Sequence, residues 1–386
     1  MIPRRRLTHP VAYNTSNRVF FILAFILSTT HSYYHMAITL KENIPLAPLT
    51  TIRLGGNATH YVSCTTDEDI IAALSYAKEQ GMRVHVLGGG SNTIFADEGF
   101  NGLIIHIQTK GITSVDDGEK TIVTAQAGEA WDDVVLFAIE KNLTGLECLS
   151  GIPGSCGGTP YQNVGAYGQE VAHTLTSVTV IDRETLERST ITNSDCAFGY
   201  RTSRFKAQDK DRFIITSVSF GLSKGGAPII AYPELAKILQ DIAPGKEGLL
   251  NVRNAVLSLR KKKSMVIDTH DPNSVSCGSF FTNPIVSAPT LAAIQEKTVD
   301  QIPFYPVEQP SNDGIAYMKL SAAWLVEHAG FPKGTRRGNV GTSEHHSLAL
   351  VNHGGTTQEL LALSAEIIAA VEQTFGITLA LEPLVV

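Results

Sequence analysis

The sequence predicts an α+β protein of two or three domains, with a cleft that holds a large ligand against glycine-rich backbone. Three observations carry this. The chain is 386 residues long, enough for separate cores with a site between them. Strand-like runs crowd its first part, and helical patterns predominate beyond the Lys224-Gly225-Gly226-Ala227-Pro228 break. The stretch Gly151 to Gly168 reads GIPGSCGGTPYQNVGAYG, with glycines at 151, 154, 157, 158, 165 and 168 that no ordinary helix or strand would tolerate.

In chain order, Thr59 to Cys64 reads as a strand, and Thr66 caps a helix through Gln80, with Asp69 completing a capping box and Gly81 as the stop. Arg83 to Leu87 is the next strand. It delivers the chain into Gly88-Gly89-Gly90-Ser91-Asn92, whose amide groups can meet a pyrophosphate. No helix follows in G-x-G-x-x-G spacing, so a standard dinucleotide-binding Rossmann domain is disfavoured. Gly102 to Ile107, Thr121 to Ala127, Ser177 to Ile181 and Phe213 to Phe220 read as strands, with an amphipathic helix near Glu129 to Asn142. Helices are expected at Asn251 to Lys262, Leu320 to Ala329 and Thr357 to Thr374, before a final strand from Ile377 to Val386.

Composition excludes several classes. A formal charge of -6 offers no global attraction to nucleic acid or to an anionic membrane, so an anionic ligand needs a local basic cluster. The five cysteines are odd in number and lack a C-x-x-C pair, which argues against a disulfide scaffold or zinc site and for a reducing compartment. Cys156 and Cys277 read as buried thiols. No metal is expected, since His345-His346 belongs to no ligand-spaced cluster.

Residues 1–35 conflict with this picture. Arg4-Arg5-Arg6 and Arg18 precede the apolar run Val19 to Leu27, as in a signal peptide, but the run is too short to span a bilayer and no clear A-x-A site follows. We read the segment as a leader, disordered or arising from a mis-assigned start, with Met36 opening the globular part. A genuine targeting segment is the alternative.

Five stretches converge on one family. Thr51-Ile52-Arg53-Leu54-Gly55-Gly56, the Gly88 to Asn92 loop, Gly151 to Gly168, Tyr200-Arg201-Thr202-Ser203-Arg204-Phe205-Lys206 and Gly278-Ser279-Phe280-Phe281-Thr282-Asn283-Pro284 resemble, in order and spacing, the UDP-N-acetylenolpyruvoylglucosamine reductases. The resemblance runs from about residue 40 to the C-terminus. It implies an FAD-binding domain of the vanillyl-alcohol-oxidase type over residues 36–225, in two subdomains of about 36–110 and 111–225, and a substrate-binding domain over 226–386. It also implies reduction of an enolpyruvyl ether by NADPH in the cytoplasm. FAD is expected to be noncovalent, because Ser91 follows Gly90 where covalent flavoproteins of that superfamily often carry histidine.

The resemblance assigns residues to tasks. Arg53, Gly88, Gly89, Gly90, Ser91, Asn92, Gly151, Ile152, Pro153, Gly154, Ser155, Gly158, Asn163, Gly165, Ala166 and Tyr167 are expected to hold FAD. After hydride transfer the chemistry needs a stabilised enolate-like carboxylate and a proton for the α carbon. Arg201 offers a planar, permanently charged fork for the carboxylate, and Ser279 matches the family's proton donor. Glu382 matches the catalytic glutamate in an ungapped register from Phe375; a two-residue slip would put Leu384 there.

For the substrate, Arg260 and Lys263 share a helical face and match diphosphate-binding positions. Asn283 and Tyr200 match substrate contacts, and Tyr232 matches the tyrosine on the mobile loop of the larger subtype. Arg204 and Lys206 read as partner-satisfying or surface charges, and Glu327 as part of a packed helix. The expected ligands are UDP-N-acetylglucosamine enolpyruvate and NADPH, with no obligate protein partner. Two rivals stand beside this reading: an FAD oxidase of the same fold, and a noncatalytic flavoprotein that binds a nucleotide sugar.

Overall fold

The computed structural model describes residues 19–26, 34–228, 230–239, 245–296, 298–307 and 315–386. Three units follow one another along the chain. The first is a mixed sheet in the order Val19–Ile26, Tyr34–Pro45, Asn57–Cys64, Phe100–Ile107, Val84–Leu87, with Phe100–Ile107 parallel to both of its neighbours. Helix α1 (Asp67–Glu79) makes the crossover, and its predicted Thr66–Asp69 capping box is present in both directions. Val19–Ile26, inside the segment expected as a leader, pairs antiparallel with Tyr34–Pro45 at the sheet edge. Its run of aliphatic and aromatic residues suits a strand as well as the apolar region of a signal. The rest of residues 1–33 lies outside the described residues.

The second unit is an antiparallel sheet in the order Arg188–Thr192, Leu175–Asp182, Phe213–Lys224, Thr121–Gln126, Ile112–Asp116. Helix α2 (Trp131–Glu140) buries Trp131, Val134, Val135, Ala138 and Ile139 against it, and the Trp131 ring lies 5.7 Å from Phe220. Two further helices, α3 (Pro233–Ile238) and α4 (Lys246–Lys262), pack here too, with Leu235, Val252, Val256 and Leu259 closing over Cys148. In packing terms the third unit therefore starts after α4, not at residue 226. The expected start of α4 at Asn251 also moves back, because Gly245, at φ +91°, is where the helix breaks.

Helical patterns do not dominate the third unit as expected. It contains an antiparallel sheet Ser276–Ser279, Ala349–Asn352, Val340–Thr342, Arg336–Arg337, and another of Ile285–Ser287, Tyr317–Leu320, Phe304–Pro306. Strands of two to four residues are too short for a period-two pattern to show. Helices α5 (Ala288–Gln295), α6 (Ala322–His328) and α7 (Thr357–Phe375) cover them, and Leu320 belongs to a strand, not to α6. Ile52, Leu54 and Ile94 of the first unit enter this core. The expected ten-residue final strand shrinks to Leu384–Val385, parallel to Thr93–Ile94, because Pro383 has no N–H for a ladder. Among the described residues no helix is long and apolar enough to cross a membrane, and no cluster of His, Cys, Asp and Glu could hold a metal ion.

Candidate active site

The three units meet at a cleft of about 330 Å³. Its wall is formed by the two glycine loops, which interlock. A Cβ on Gly89 would lie 2.6 Å from the Gly154 Cα, and one on Gly88 would collide with the Ser155 hydroxyl. Gly89 N donates to Ser155 Oγ at 3.3 Å. Several glycines are thus demanded by loop-on-loop contact as well as by any ligand. Gly158 differs, since a Cβ there would meet nothing nearer than 4.0 Å and the residue lines open cleft. That space, backed by amide groups, is where a flat or phosphorylated cofactor fits.

Gly88, Gly89, Gly90, Ser91, Asn92, Ile152, Pro153, Gly154, Ser155, Gly158, Gly165 and Ala166 all line the cleft. Four expected cofactor contacts do not. Arg53, at φ +55°, is exposed, and its carbonyl accepts from Asn352 Nδ2. Gly151 sits behind the wall against α4. The Asn163 amide is already engaged by Glu170, Gly199 and the Ala172 N–H. Tyr167 packs edge-on to Tyr232 at 5.3 Å, and burial pushes its phenol up to about 12.

One corner of the cleft gathers the charged groups. Arg201 takes a left-handed backbone, φ +53°, and its Nη2 donates to Gly165 O at 2.9 Å. Its Nε lies 3.0 Å from Glu382 Oε1, close enough to pair charges, but the N–H is not aimed along that line and has no hydrogen-bond partner among the described residues. A well-placed carboxylate ligand would give that donor an acceptor. Burial raises the Glu382 pKa, while Arg201 and Lys206 beside it pull the other way. The backbone fixes Glu382 firmly, since its N–H donates to Phe280 O at 2.9 Å and its carbonyl accepts from Asn92 Nδ2 at 3.2 Å. Glu382 is therefore held with its carboxylate at Arg201.

Ser279 ends the strand Ser276–Ser279, follows Gly278 at φ +74°, and lines the same cleft. Arg201, Ser279, Glu382 and the glycine wall, far apart in sequence, thus share one cavity. Arg260 lines it as well. The other expected substrate contacts lie outside that lining. Lys263 pairs with Glu234 at 3.1 Å. Tyr232 sits at the start of α3, its side chain making no cap to the helix. Asn283 Oδ1 accepts the Ala322 N–H at the head of α6, and its own N–H donates to the Tyr200 hydroxyl.

Sequence reasoning missed two residues here. Gln162 links the wall to the corner, accepting from Asn92 Nδ2 at 2.9 Å and facing Glu382 Oε1 at 3.4 Å. Lys206, read as a partner-satisfying or surface charge without a place at the site, is half-buried with a lowered pKa caused chiefly by burial, and donates to Arg201 O at 3.3 Å. Both stood inside quoted motifs, but only the fold shows what they face.

The chain is similar to known proteins along nearly its whole length. Residues 58–185 match the FAD binding domain family, and residues 271–386 match the UDP-N-acetylenolpyruvoylglucosamine reductase C-terminal domain. The UDP-N-acetylenolpyruvoylglucosamine reductase of Streptomyces coelicolor is 45% identical over 350 residues, covering 89% of this chain and 90% of the relative. That of Thermobifida fusca is 44% identical over 364 residues, covering 91% and 99%. The crystal structure of the Thermus caldophilus enzyme shares the fold, with a TM-score of 0.60 at 24% identity over 90% of this chain and 99% of that one. With an FAD-binding domain, a matching C-terminal domain and relatives this similar along nearly their whole length, the chain belongs to the UDP-N-acetylenolpyruvoylglucosamine reductase family.

Proposed function

We propose that this protein is a cytoplasmic, FAD-dependent enzyme that uses NADPH to reduce the enolpyruvyl ether of UDP-N-acetylglucosamine to the lactyl ether of UDP-N-acetylmuramate, a peptidoglycan precursor. The observation that carries the reading is the convergence of Arg201, Glu382 and Ser279 on one cleft with the glycine wall. Bound FAD supplies the hydride relay between NADPH and the alkene. The protein's own groups do the rest.

Arg201 receives the substrate carboxylate, and its buried Nε donor favours the extra charge that builds there during reduction. Glu382 pairs with the guanidinium at Nε and keeps it at the cleft. Ser279 delivers the proton to the α carbon, and Lys206 balances the negative charge near Arg201. Arg260 meets the diphosphate, Lys263, Tyr200 and Asn283 border the sugar nucleotide, and Tyr232 belongs to a loop that folds over it. Asn163 and Tyr167 support the cofactor from behind the wall, and Arg53 is a further cofactor contact.

Purified, FAD-loaded protein tests this directly. NADPH oxidation should depend on the enolpyruvyl nucleotide sugar and yield UDP-N-acetylmuramate. Oxygen consumption with alcohols or lactones and no such dependence would favour the oxidase rival. Binding of both ligands without turnover would favour the noncatalytic one.

A further inference from the structure

We propose that Asp132, Arg253 and Arg260 are positioning residues for the cofactor: helix α4 grips the Gly151 peptide from behind and so sets the shape of the wall that FAD lies against. The proposal rests on the reading of the cleft as an FAD site.

The wall cannot shape itself. Between Gly151 and Gly154 only Ile152 packs against the core of the second unit, so hydrogen bonds to the backbone also define the path. Gly151 adopts φ +71°, and a Cβ there would lie 2.5 Å from Leu257 Cδ2 of α4. Its N–H donates to Asp132 Oδ1 at 2.6 Å. Its carbonyl accepts from Arg260 Nε at 3.2 Å. The residue is thus held through the peptide on each side of it.

Asp132 is itself gripped. Arg253 donates from both Nη atoms to its two carboxylate oxygens at 2.7 and 2.6 Å, the two-pronged geometry that fixes direction as well as distance. Burial raises the Asp132 pKa, but Arg253 and the Gly151 N–H outweigh it, and the carboxylate is held below its ordinary range. Arg253 and Arg260 are two helical turns apart, so they share a face of α4. Arg260 is only 7% exposed, spends its Nη2 on Met265 O at 2.7 Å, and interacts at longer range with the Asp132 carboxylate. Its hydrogen bonds go to the loop backbone, and its charge supports the same carboxylate that Arg253 holds. Trp131, next to Asp132, adds two more ties, from its N–H to Gly154 O and from its indole to Leu149 O, both at 3.0 Å.

Ile152 to Ser155 line the cleft immediately beyond this clamp. A shift of a few tenths of an ångström in the Gly151 peptide is carried into the cofactor contacts, where such displacements are costly.

The test compares wild type with Asp132→Asn, Arg253→Gln and Arg253→Lys. Its readouts are the FAD dissociation constant by flavin fluorescence, the absorption bands of bound flavin, and the Tm of the apoprotein. Asp132→Asn and Arg253→Gln should each weaken FAD binding by about tenfold and shift the bands, with little further loss in the double variant because one link is broken twice. Arg253→Lys should recover part of the affinity. Variants whose apoprotein Tm falls while FAD affinity and spectrum stay within twofold of wild type would reduce the clamp to a stability element and overturn the proposal, as would fully additive losses in the double variant. A wild-type protein that binds no FAD would instead overturn the reading on which the proposal rests.

Discussion

The glycine wall and the Arg201–Glu382 corner face the same cleft but are built by opposite means. The wall is backbone, shaped by left-handed glycines, loop-on-loop contact and hydrogen bonds from neighbouring segments, and its exposed amides suit a ligand that is large and bound throughout turnover. The corner is charged side chains in partial burial, with a left-handed Arg201 backbone and a buried Nε that lies 3.0 Å from Glu382 Oε1 but has no well-aimed acceptor among the described residues. Such a group is poorly satisfied at rest and better satisfied when negative charge arrives. The difference teaches a division of labour, in which the wall determines what is held and the corner determines what reacts.

Substitutions should split along that line. Ser279→Ala should leave flavin reduction by NADPH intact and slow reoxidation by the enolpyruvyl substrate by about 10³-fold, the scale of a lost proton donor. Stopped-flow half-reactions measure both, and normal reoxidation would remove Ser279 from the reaction. Arg201→Met should cost about 10²-fold or more in the same half-reaction, as for a lost oxyanion donor, again without weakening FAD binding. Glu382→Gln should show a smaller defect in the same step; a wild-type rate would favour the slipped register.

A wall substitution should do the reverse. Gly89→Ala drives a methyl against the Gly154 backbone and should raise the FAD dissociation constant by about tenfold, while the loaded enzyme loses much less in rate. Equal losses in affinity and rate at either place would erase the distinction.

The smallest effect concerns stability. Burial holds His85 and His346 down to about 4, against 6.5 when free. The unfolded chain therefore binds more protons between these values, so stability is fully present above about pH 6.5 and lost as pH falls toward 4. The loss is on the order of 3 kcal/mol for each histidine, and urea unfolding across that range should show it. His85→Leu should flatten the slope.

The legible parts of the sequence were those whose meaning is local. The Thr66–Asp69 capping box defined α1, and the glycine spacing marked both loops before any contact was known. Arg201, Ser279 and Glu382 were found only by resemblance, because a lone glutamate in a terminal strand carries no signal of its own. Asp132 was invisible for a similar reason. An acid in a helix's first turn ordinarily complements the dipole, and nothing in sequence ties it to Gly151 nineteen residues away or to Arg253 on another helix. The small sheets of the third unit escaped through shortness, and the run at Val19–Ile26 is equally good as a strand and as the apolar part of a signal. Tertiary proximity, not residue type, separated what was read from what was missed.

The most direct test of the central claim is one anaerobic absorption trace of the purified protein, with NADPH added first and UDP-N-acetylglucosamine enolpyruvate second. The account predicts an oxidised flavin spectrum at the start, bleaching with NADPH, and return of the oxidised bands on addition of the nucleotide sugar. A flavin that bleaches but does not recover with the enolpyruvyl substrate, or a protein that carries no flavin, would contradict it.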